Sequence, residues 1–127
     1  MTDPFPDRLA LLGMRYEARH GVHEREKREA QPFELDLVLH ADLSRAAETD
    51  ELGATIDYEA LRELVGAIVG GPSFDLIEAL AGAIARAVLA ATDPSVVAEV
   101  EVRVRKPHAL PGGLDGPEVT IRRGRGP

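Results

Sequence analysis

The chain has 127 residues, of which 44% are hydrophobic and only 4% aromatic, so it can form one domain whose core consists of Leu, Val, Ile and Ala. A formal net charge of −7 argues against a nucleic-acid-binding protein, and the lack of Cys excludes disulfides, thiolate nucleophiles and Cys-type zinc sites. The sequence shows neither an apolar signal segment nor the ~20 apolar residues that span a membrane, so we expect a cytoplasmic protein.

Two strands are predicted in the first third of the chain, after a flexible leader at residues 1–7. From Arg8 to Gly21 apolar side chains recur with period two, which is typical of a strand. The apolar face is expected to hold the even positions Ala10, Leu12, Met14, Tyr16 and Ala18. The strand predicted from Phe33 to Leu43 alternates more regularly, with apolar odd positions and mostly charged even ones. It is therefore expected to be antiparallel, with one face in water.

Two helices follow a connector, residues 44–57, that has room for one helical turn. Asp57 can cap a helix that begins at Tyr58, and Gly70, Gly71 and Pro72 end it. Its buried stripe is Leu61, Leu64, Val65, Ile68 and Val69. The second helix ends before Asp93 and Pro94, and its buried side is predicted to contain Leu76, Leu80, Ala83, Ile84, Ala87 and Val88.

The last part of the chain predicts two more strands. Val100, Val102 and Val104 alternate with charged residues, and a Pro- and Gly-rich loop separates this strand from one marked by Val119 and Ile121. The order ββααββ indicates an α+β fold with two helices on one face of an antiparallel sheet. One domain is expected over residues 8–123, with a flexible tail at 124–127. The open sheet edges favour a homo-oligomer, and the basic end formed by Arg122, Arg123 and Arg125 is interpreted as frayed and solvated.

Four segments, in this order, resemble the dihydroneopterin aldolase family: GMRYEARHGVHEREKREAQPFELDLVL, TIDYEAL, FDLIEALAGAIA and VRVRKPHALPG. The resemblance runs from about Leu9 to Arg123. It implies the tunnelling fold, in which the sheets of four subunits join into a ring-shaped barrel with the helices outside. Two such rings then stack into an octamer.

The resemblance also implies a reaction of folate biosynthesis. 7,8-Dihydroneopterin is cleaved by a retro-aldol step into 6-hydroxymethyl-7,8-dihydropterin and glycolaldehyde, with possible epimerisation at the 2′ carbon. The imine of the dihydropterin ring is conjugated to the breaking bond and can accept its electron pair, so no lysine Schiff base, metal or other cofactor is expected. Proton transfer and positioning remain for the protein.

Three catalytic residues are implied by the resemblance. Glu26 would hold the side-chain hydroxyls or a water, Tyr58 would reach into a neighbouring subunit's site to transfer protons to and from the enol, and Lys106 would take the proton of the side-chain hydroxyl. As a base, Lys106 must lose its proton more easily than a free amine. Each residue also has a purely structural interpretation: a solvated charge for Glu26, first-turn packing for Tyr58, and a basic strand residue for Lys106.

Three substrate-binding residues are implied in the same way. Glu78, with Ile77 beside it, would bind the pterin, because a carboxylate can accept parallel N–H bonds from the ring's amino group and adjacent ring nitrogen. Ile56, in the TIDY segment, would line the site. The alternative for Glu78 is a capping box with Asp75, three residues earlier.

A metal site is not favoured by the four histidines, His20, His23, His40 and His108, because no strand places alternate histidines on one side. His20 is instead expected at a strand exit, where Gly21 relaxes the backbone.

Two departures from the family pattern are Ala30 before the loop Gln and an altered segment at residues 108–113. Two alternative functions therefore stay open. Dihydroneopterin triphosphate 2′-epimerase would use the cations Arg25, Lys27 and Arg28 for phosphate. A non-catalytic pterin or purine binder would keep Glu78 and dispense with Lys106.

Overall fold

The computed structural model describes residues 2–110 and 116–126, so part of the predicted Pro- and Gly-rich loop, residues 111–115, lies outside the described residues. Four strands form the sheet: β1 (Asp7–Ala18), β2 (Gln31–Ala41), β3 (Val97–Arg105) and β4 (Glu118–Gly124). The helices are α1 (Glu24–Arg28), α2 (Ser44–Thr49), α3 (Tyr58–Val69) and α4 (Ile77–Ala91), with a 3-10 turn at Leu52–Ala54.

The four strands form one antiparallel sheet in the order β1-β2-β3-β4, so every sequential pair of strands is also adjacent in space. Helices α3 and α4 lie between β2 and β3 in sequence, which confirms the predicted ββααββ order and α+β class. The connector contains the expected helical turn as α2. Helix α1, inside the charged run, was not predicted.

One hydrophobic core lies between the sheet and the helices α3 and α4. The inward positions of β2 and β3 are almost fully buried at alternate residues, from Phe33 through Leu39 and from Val100 through Val104, and Val97 is buried beyond a shift in the pairing of the two strands. Helix α3 contributes Leu61, Val65 and Val69, as predicted. The buried face of α4 is Leu80, Ala81, Ile84, Ala85 and Val88.

The predicted buried side of α4 is therefore partly wrong. Leu76 precedes the helix as its N-cap residue and is 51% exposed, while Ala83 and Ala87 are only half-buried. The small residues Ala81 and Ala85 take the central places instead. An alanine-rich helix gives weak hydrophobic contrast between its faces, so the stripe could not be fixed from the sequence alone.

A β-bulge in β1 reverses the inward parity of that strand. The pairing with β2 shifts between Leu11 and Met14, and Gly13 there has a φ of +69°. The main-chain N–H of Gly13 donates to Asp36 Oδ1 at 2.7 Å. One extra residue moves the following side chains to the other face. The prediction of an inward even face is thus correct from Met14 onward and wrong for Ala10 and Leu12, the latter 68% exposed.

The outer face of the sheet is covered by ion pairs between neighbouring strands. Arg105 contacts Glu34 on β2 at 3.4 Å and Glu118 on β4 at 3.5 Å. Further along the sheet, Arg122 Nη2 lies 2.7 Å from Glu99 Oε2. These pairs confirm the prediction that one face of the sheet is polar and solvated. The strand order makes β1 and β4 the edge strands, and their outer main-chain groups have no strand partner among the described residues.

The basic end is anchored by Arg125, so the prediction of a frayed end is wrong for this residue, although Arg125 is exposed as expected. Its guanidinium donates to the main-chain oxygens of Leu89 at 2.7 Å and of Thr92 at 3.0 Å, and its Nε donates to Val97 O at 2.9 Å. The last carbonyls of a helix have no intrahelical partner, and a cation there also complements the helix dipole. Arg125 thus caps the C-terminus of α4. In the part of the chain that the structure describes, no helix is both long and apolar enough to cross a membrane.

We expect Gly13→Ala to destabilise the protein by about 1–2 kcal/mol, because an L residue at positive φ is strained even where space is open. A Cβ at Gly13 would meet no atom within 4 Å, so steric overlap does not contribute. Gly53→Ala is the matched control: its Cβ also meets nothing and its φ is not positive. Urea unfolding measures both, and equal effects of the two substitutions would contradict a strained bulge.

Candidate active site

The candidate site begins at Lys106, the residue that follows β3. The side chain is buried, with the residue 8% exposed, and its main-chain N–H donates to Pro117 O at 3.1 Å. Its Nζ lies 2.6 Å from Glu26 Oε2 and 5.9 Å from the centre of the Phe33 ring. A short N–H···O contact between an ammonium and a carboxylate is a strong, charge-assisted hydrogen bond. The predicted residues Lys106 and Glu26, 80 positions apart in sequence, thus meet directly.

Glu26 reaches Lys106 from helix α1, which the charged run forms on the loop between β1 and β2. Gln31 Nε2 donates to the same Oε2 at 3.1 Å, and the main-chain N–H of His23 donates to Oε1 at 3.4 Å. Burial acts to raise the pKa of Glu26, and the accepted hydrogen bonds, first of all that from Lys106, act to lower it. The hydrogen bonds prevail, and the pKa of Glu26 lies below its ordinary value of 4.5.

Gly21 makes room for the Glu26 carboxyl group. Its φ is +153°, in the region that favours glycine, and a Cβ placed on it would overlap the carboxyl carbon and both carboxyl oxygens of Glu26. The glycine is therefore required by the close approach of the Glu26 side chain as well as by the backbone at the strand exit.

A cavity of about 420 Å³ opens beside the pair. His23 and Arg25 from the α1 loop and His108 from the segment after β3 line it, together with Glu26, Gln31 and Lys106. Of the other cations considered for phosphate binding, Lys27 Nζ is directed to Gly21 O at 2.6 Å and to the Asp75 carboxylate. The cavity is lined mainly by hydrogen-bonding groups, which suits a polar ligand.

His20 forms a buried link beneath this cavity. Its residue is 1% exposed, its Nε2 lies 2.6 Å from Val69 O, and its Nδ1 accepts from Phe74 N–H at 3.0 Å. The main-chain N–H of Gly21 also donates to Phe74 O at 2.9 Å. These bonds tie the exit of β1 to the segment between α3 and α4.

Glu78 and Ile77 lie at the start of α4, at the end of that same segment. Glu78 is exposed and has no hydrogen-bond or ion-pair partner within residues 2–110 and 116–126, and Ile77 packs partly against the core. The capping box with Asp75 is not formed, because Leu76 is the N-cap residue and Asp75 is paired with Lys27. The Glu78 carboxylate is thus free of the competing structural role.

Tyr58 and Ile56 lie at the opposite end of the sheet from Lys106. Ile56 is buried and lines a second cavity of about 470 Å³ together with Val97, the first residue of β3. Lys106 follows the last residue of the same strand, so its nine residues at ~3.3 Å each separate the two places by about 30 Å. Tyr58, the first residue of α3, is 54% exposed. The structure therefore does not bring these two predicted residues to the Lys106–Glu26 pair of the same chain.

The histidines are spread over different parts of the fold. His20 is in the core, His23 begins α1, His40 lies on the outer sheet face and His108 borders the cavity. Among the described residues, no three His, Asp or Glu side chains are grouped so that they could hold a metal ion.

Three contributors to the site were not predicted from the sequence: the buried link of His20, the Gln31 bond to Glu26, and the Lys27–Asp75 pair. The burial of His20 could have been predicted, since alternate residues point to the same side of a strand and the inward-facing positions are Met14, Tyr16, Ala18 and His20. No local pattern announces the other two contacts, because they join residues through the folding of a charged loop.

Comparisons with known proteins point to one family. The family model FolB, dihydroneopterin aldolase, matches residues 9–122. A dihydroneopterin aldolase of Streptomyces coelicolor is 40% identical over 120 residues, 94% of this chain and 98% of that protein. The E. coli dihydroneopterin aldolase in complex with neopterin has a TM-score of 0.85 at 25% identity, over 93% of this chain and 99% of that one. The dihydroneopterin aldolase of Burkholderia thailendensis bound to guanine has a TM-score of 0.75 at 27% identity, covering 96% and 93%.

We expect Glu26→Gln to lower the free energy of unfolding by about 2 kcal/mol near neutral pH, since it leaves the buried Lys106 ammonium without a counter-charge. The folded-state pKa of Glu26 is depressed, so the carboxylate's stabilisation is complete above its ordinary value of 4.5 and is lost as the pH falls through the folded pKa. The difference between wild type and variant should shrink over that range. Urea unfolding at stepwise lower pH measures it.

Glu24→Gln, an exposed residue of the same helix, is the matched control and should change stability little at any pH. A constant difference between wild type and Glu26→Gln down to strongly acidic pH would show that the pair does not stabilise the folded chain.

Proposed function

The chain belongs to the dihydroneopterin aldolase family and is an aldehyde-lyase, and on this premise we propose that its reaction takes place in the cavity beside Lys106 and Glu26. The observation that carries the proposal is the 2.6 Å bond between the two side chains at a cavity of about 420 Å³. Burial and mutual orientation of an amine and a carboxylate provide a proton-transfer pair held in place before substrate arrives.

The bond to be broken joins C1′ and C2′ of the 7,8-dihydroneopterin side chain. Lys106 takes the proton of the 2′ hydroxyl in its amine form, which arises when the bridging proton of the pair moves to Glu26. The C–O⁻ electrons form the carbonyl of glycolaldehyde, and the bond electrons enter the ring imine, where N5 takes the proton now held by Lys106 and a neutral enol results. Protonation at C1′ with release of the N5 proton yields 6-hydroxymethyl-7,8-dihydropterin, and the proton held by Glu26 returns to Lys106, which restores the pair. Atoms and charge balance without an external electron acceptor.

Glu78 is proposed to bind the pterin ring. The carboxylate is exposed at the first turn of α4 and has no partner among the described residues, and it is connected through Asp75 and Lys27 to the loop that carries Glu26. Neopterin and guanine, the ligands of the two related structures, share a 2-amino-4-oxo-pyrimidine edge. Parallel N–H bonds from that edge to one carboxylate would fix the ring's orientation. Ile77 would pack beside the ring.

Tyr58 and Ile56 are proposed to enter the site from a second copy of the chain. The separation of about 30 Å along β3 excludes them from the cavity of their own subunit. An exposed tyrosine at one end of the sheet and an open polar cavity at the other are complementary if copies meet head to tail. The Tyr58 hydroxyl would then transfer the proton to and from C1′ of the enol.

A ring of subunits is the assembly that satisfies these contacts. Strands β1 and β4 are free edges at opposite sides of the sheet, so β4 of one copy can continue into β1 of the next. We propose a closed tetrameric barrel with helices outside, and an octamer of two stacked rings, as the family resemblance implies.

Lys106→Met should lower kcat for glycolaldehyde release by about 100-fold or more while the fold is kept, because general acid–base groups contribute 10²–10⁴. Reactions with 7,8-dihydroneopterin are quenched at set times, and the amounts of glycolaldehyde and of the pterin product are measured. Arg86→Ala, on the exposed side of α4, is the control and should turn over at the wild-type rate.

Two results would contradict this assignment. Wild-type turnover by Lys106→Met would show that Lys106 is not the base and that another group accepts the proton of the 2′ hydroxyl. Formation of the 2′ epimer without any glycolaldehyde by the wild-type protein would show an epimerase and overturn the proposed cleavage at this site.

Subunit mixing tests the shared site. Tyr58→Phe and Lys106→Met, each nearly inactive, should regain activity at about a quarter of the sites after equal mixing and subunit exchange, because only one in four random neighbour pairs supplies both wild-type residues. Lys106→Met mixed with Glu78→Ala is the control and should recover nothing, since both residues are assigned to one subunit. Equal recovery in the two mixtures would refute this division of the site.

A further inference from the structure

His20 has a defined tautomer in this structure. Phe74 N–H donates to Nδ1 at 3.0 Å, so Nδ1 carries a lone pair, and the hydrogen is on Nε2, which donates to Val69 O at 2.6 Å. The ring is held between the aromatic rings of Phe33, 5.2 Å away, and Phe74, 5.8 Å away. With 1% of the residue exposed, water cannot replace either hydrogen bond.

The two bonds of His20 join segments that carry different parts of the site. The next residue, Gly21, begins the loop that carries Glu26 to Lys106, and Gly21 N–H bonds to Phe74 O at 2.9 Å. Phe74 lies four residues before Glu78. Lys27 closes the same unit, since its Nζ donates to Gly21 O and to Asp75. The relative placement of the proton-transfer pair and the pterin carboxylate is thus set by this small network.

We infer that His20 is a positioning residue for the aldolase reaction: as the neutral Nε2–H tautomer it fixes the Glu26 loop against the segment that leads to Glu78, and its protonation breaks this link. The inference rests on the proposed function, because it concerns the distance between the two working parts of that site. His20 is not a catalytic residue, since it lines neither cavity and bonds only to main-chain atoms.

Protonation would place a second hydrogen on Nδ1, opposite Phe74 N–H, so the acceptor would become a donor and this bond would be lost. The charged groups around the ring are Lys106 from the end of β3, paired with Glu26, and Lys27 from α1, paired with Asp75. Burial lowers the pKa of His20, the Val69 carbonyl acts to raise it, and the Lys106 ammonium lowers it further. The net pKa lies below the ordinary 6.5, so the link is intact near neutral pH and is lost only as the pH falls through this lowered pKa.

The test compares His20→Gln with His20→Leu. Glutamine offers one acceptor and one donor at a spacing close to that of the two imidazole nitrogens, but it does not titrate; leucine has neither group. The pH profiles of kcat and kcat/KM for glycolaldehyde release are measured for both variants and for the wild-type protein. The thermal midpoint of each is followed over the same pH range.

The expected result is a wild-type kcat/KM that falls as the pH drops through the lowered pKa of His20. His20→Gln should keep activity near neutral pH and move this acidic limb to lower pH, towards the titration of Glu26. His20→Leu should lose about 100-fold in kcat/KM near neutral pH, with kcat and KM both affected, because a displacement near 1 Å suffices for such a loss. The gap between His20→Leu and the wild-type protein should narrow at acidic pH, where protonation breaks the wild-type link as well. Protonation of the substrate is common to all three proteins and does not separate them.

An unchanged acidic limb in His20→Gln would overturn the inference, as would wild-type kcat/KM in a folded His20→Leu. Imidazole ¹⁵N shifts of the wild-type protein test the tautomer without any variant and without activity: Nε2–H that titrates below 6.5 supports the inference, and Nδ1–H overturns it. A wild-type protein that releases no glycolaldehyde would refute the proposed function, while the shifts would still decide the state of His20.

Discussion

The arrangement of this protein depends on one buried ion pair, Lys106 with Glu26. A charge without a counter-charge is costly at 8% exposure, so the end of β3 is stable in this form only when the α1 loop delivers a carboxylate to it. The loop in turn can approach only because Gly21 has no side chain. In the proposed mechanism a structural requirement and a chemical function therefore coincide: the contact that compensates the lysine would also prepare a base and its partner for proton transfer.

The distribution of the remaining site residues follows from the length of a strand. Lys106 is at one end of β3, and Ile56 packs at the other, next to Val97. A sheet of this size cannot bring its two ends together within one chain. In the proposed ring, the pterin-binding group and the enol proton donor come from different copies, so assembly would serve catalysis directly.

Periodic features of the sequence were sufficient to predict the architecture. The predictions for β2, β3 and α3 agree with the structure because the inward and outward faces of each of these elements differ strongly in polarity. Prediction failed where the pattern was weak or interrupted: Gly13 inserts a bulge that reverses parity, and the many alanines of α4 hide its buried side. Lys106, Glu26 and Glu78 were suggested as site residues only by the family resemblance, while the contacts of His20 and Arg125 depend on main-chain partners that are distant in sequence and leave no local pattern.

The ion pairs on the outer sheet face have a consequence for how copies of the chain attract one another. Arg103, Arg105 and Arg122 are already neutralised by carboxylates of their own sheet. Little free charge remains on this face to draw in a neighbour over long range. A closed assembly would then enclose a hydrated, electrically balanced channel, and its cohesion would come from main-chain bonds at the strand edges and from apolar contact, neither of which is weakened by the screening of charges.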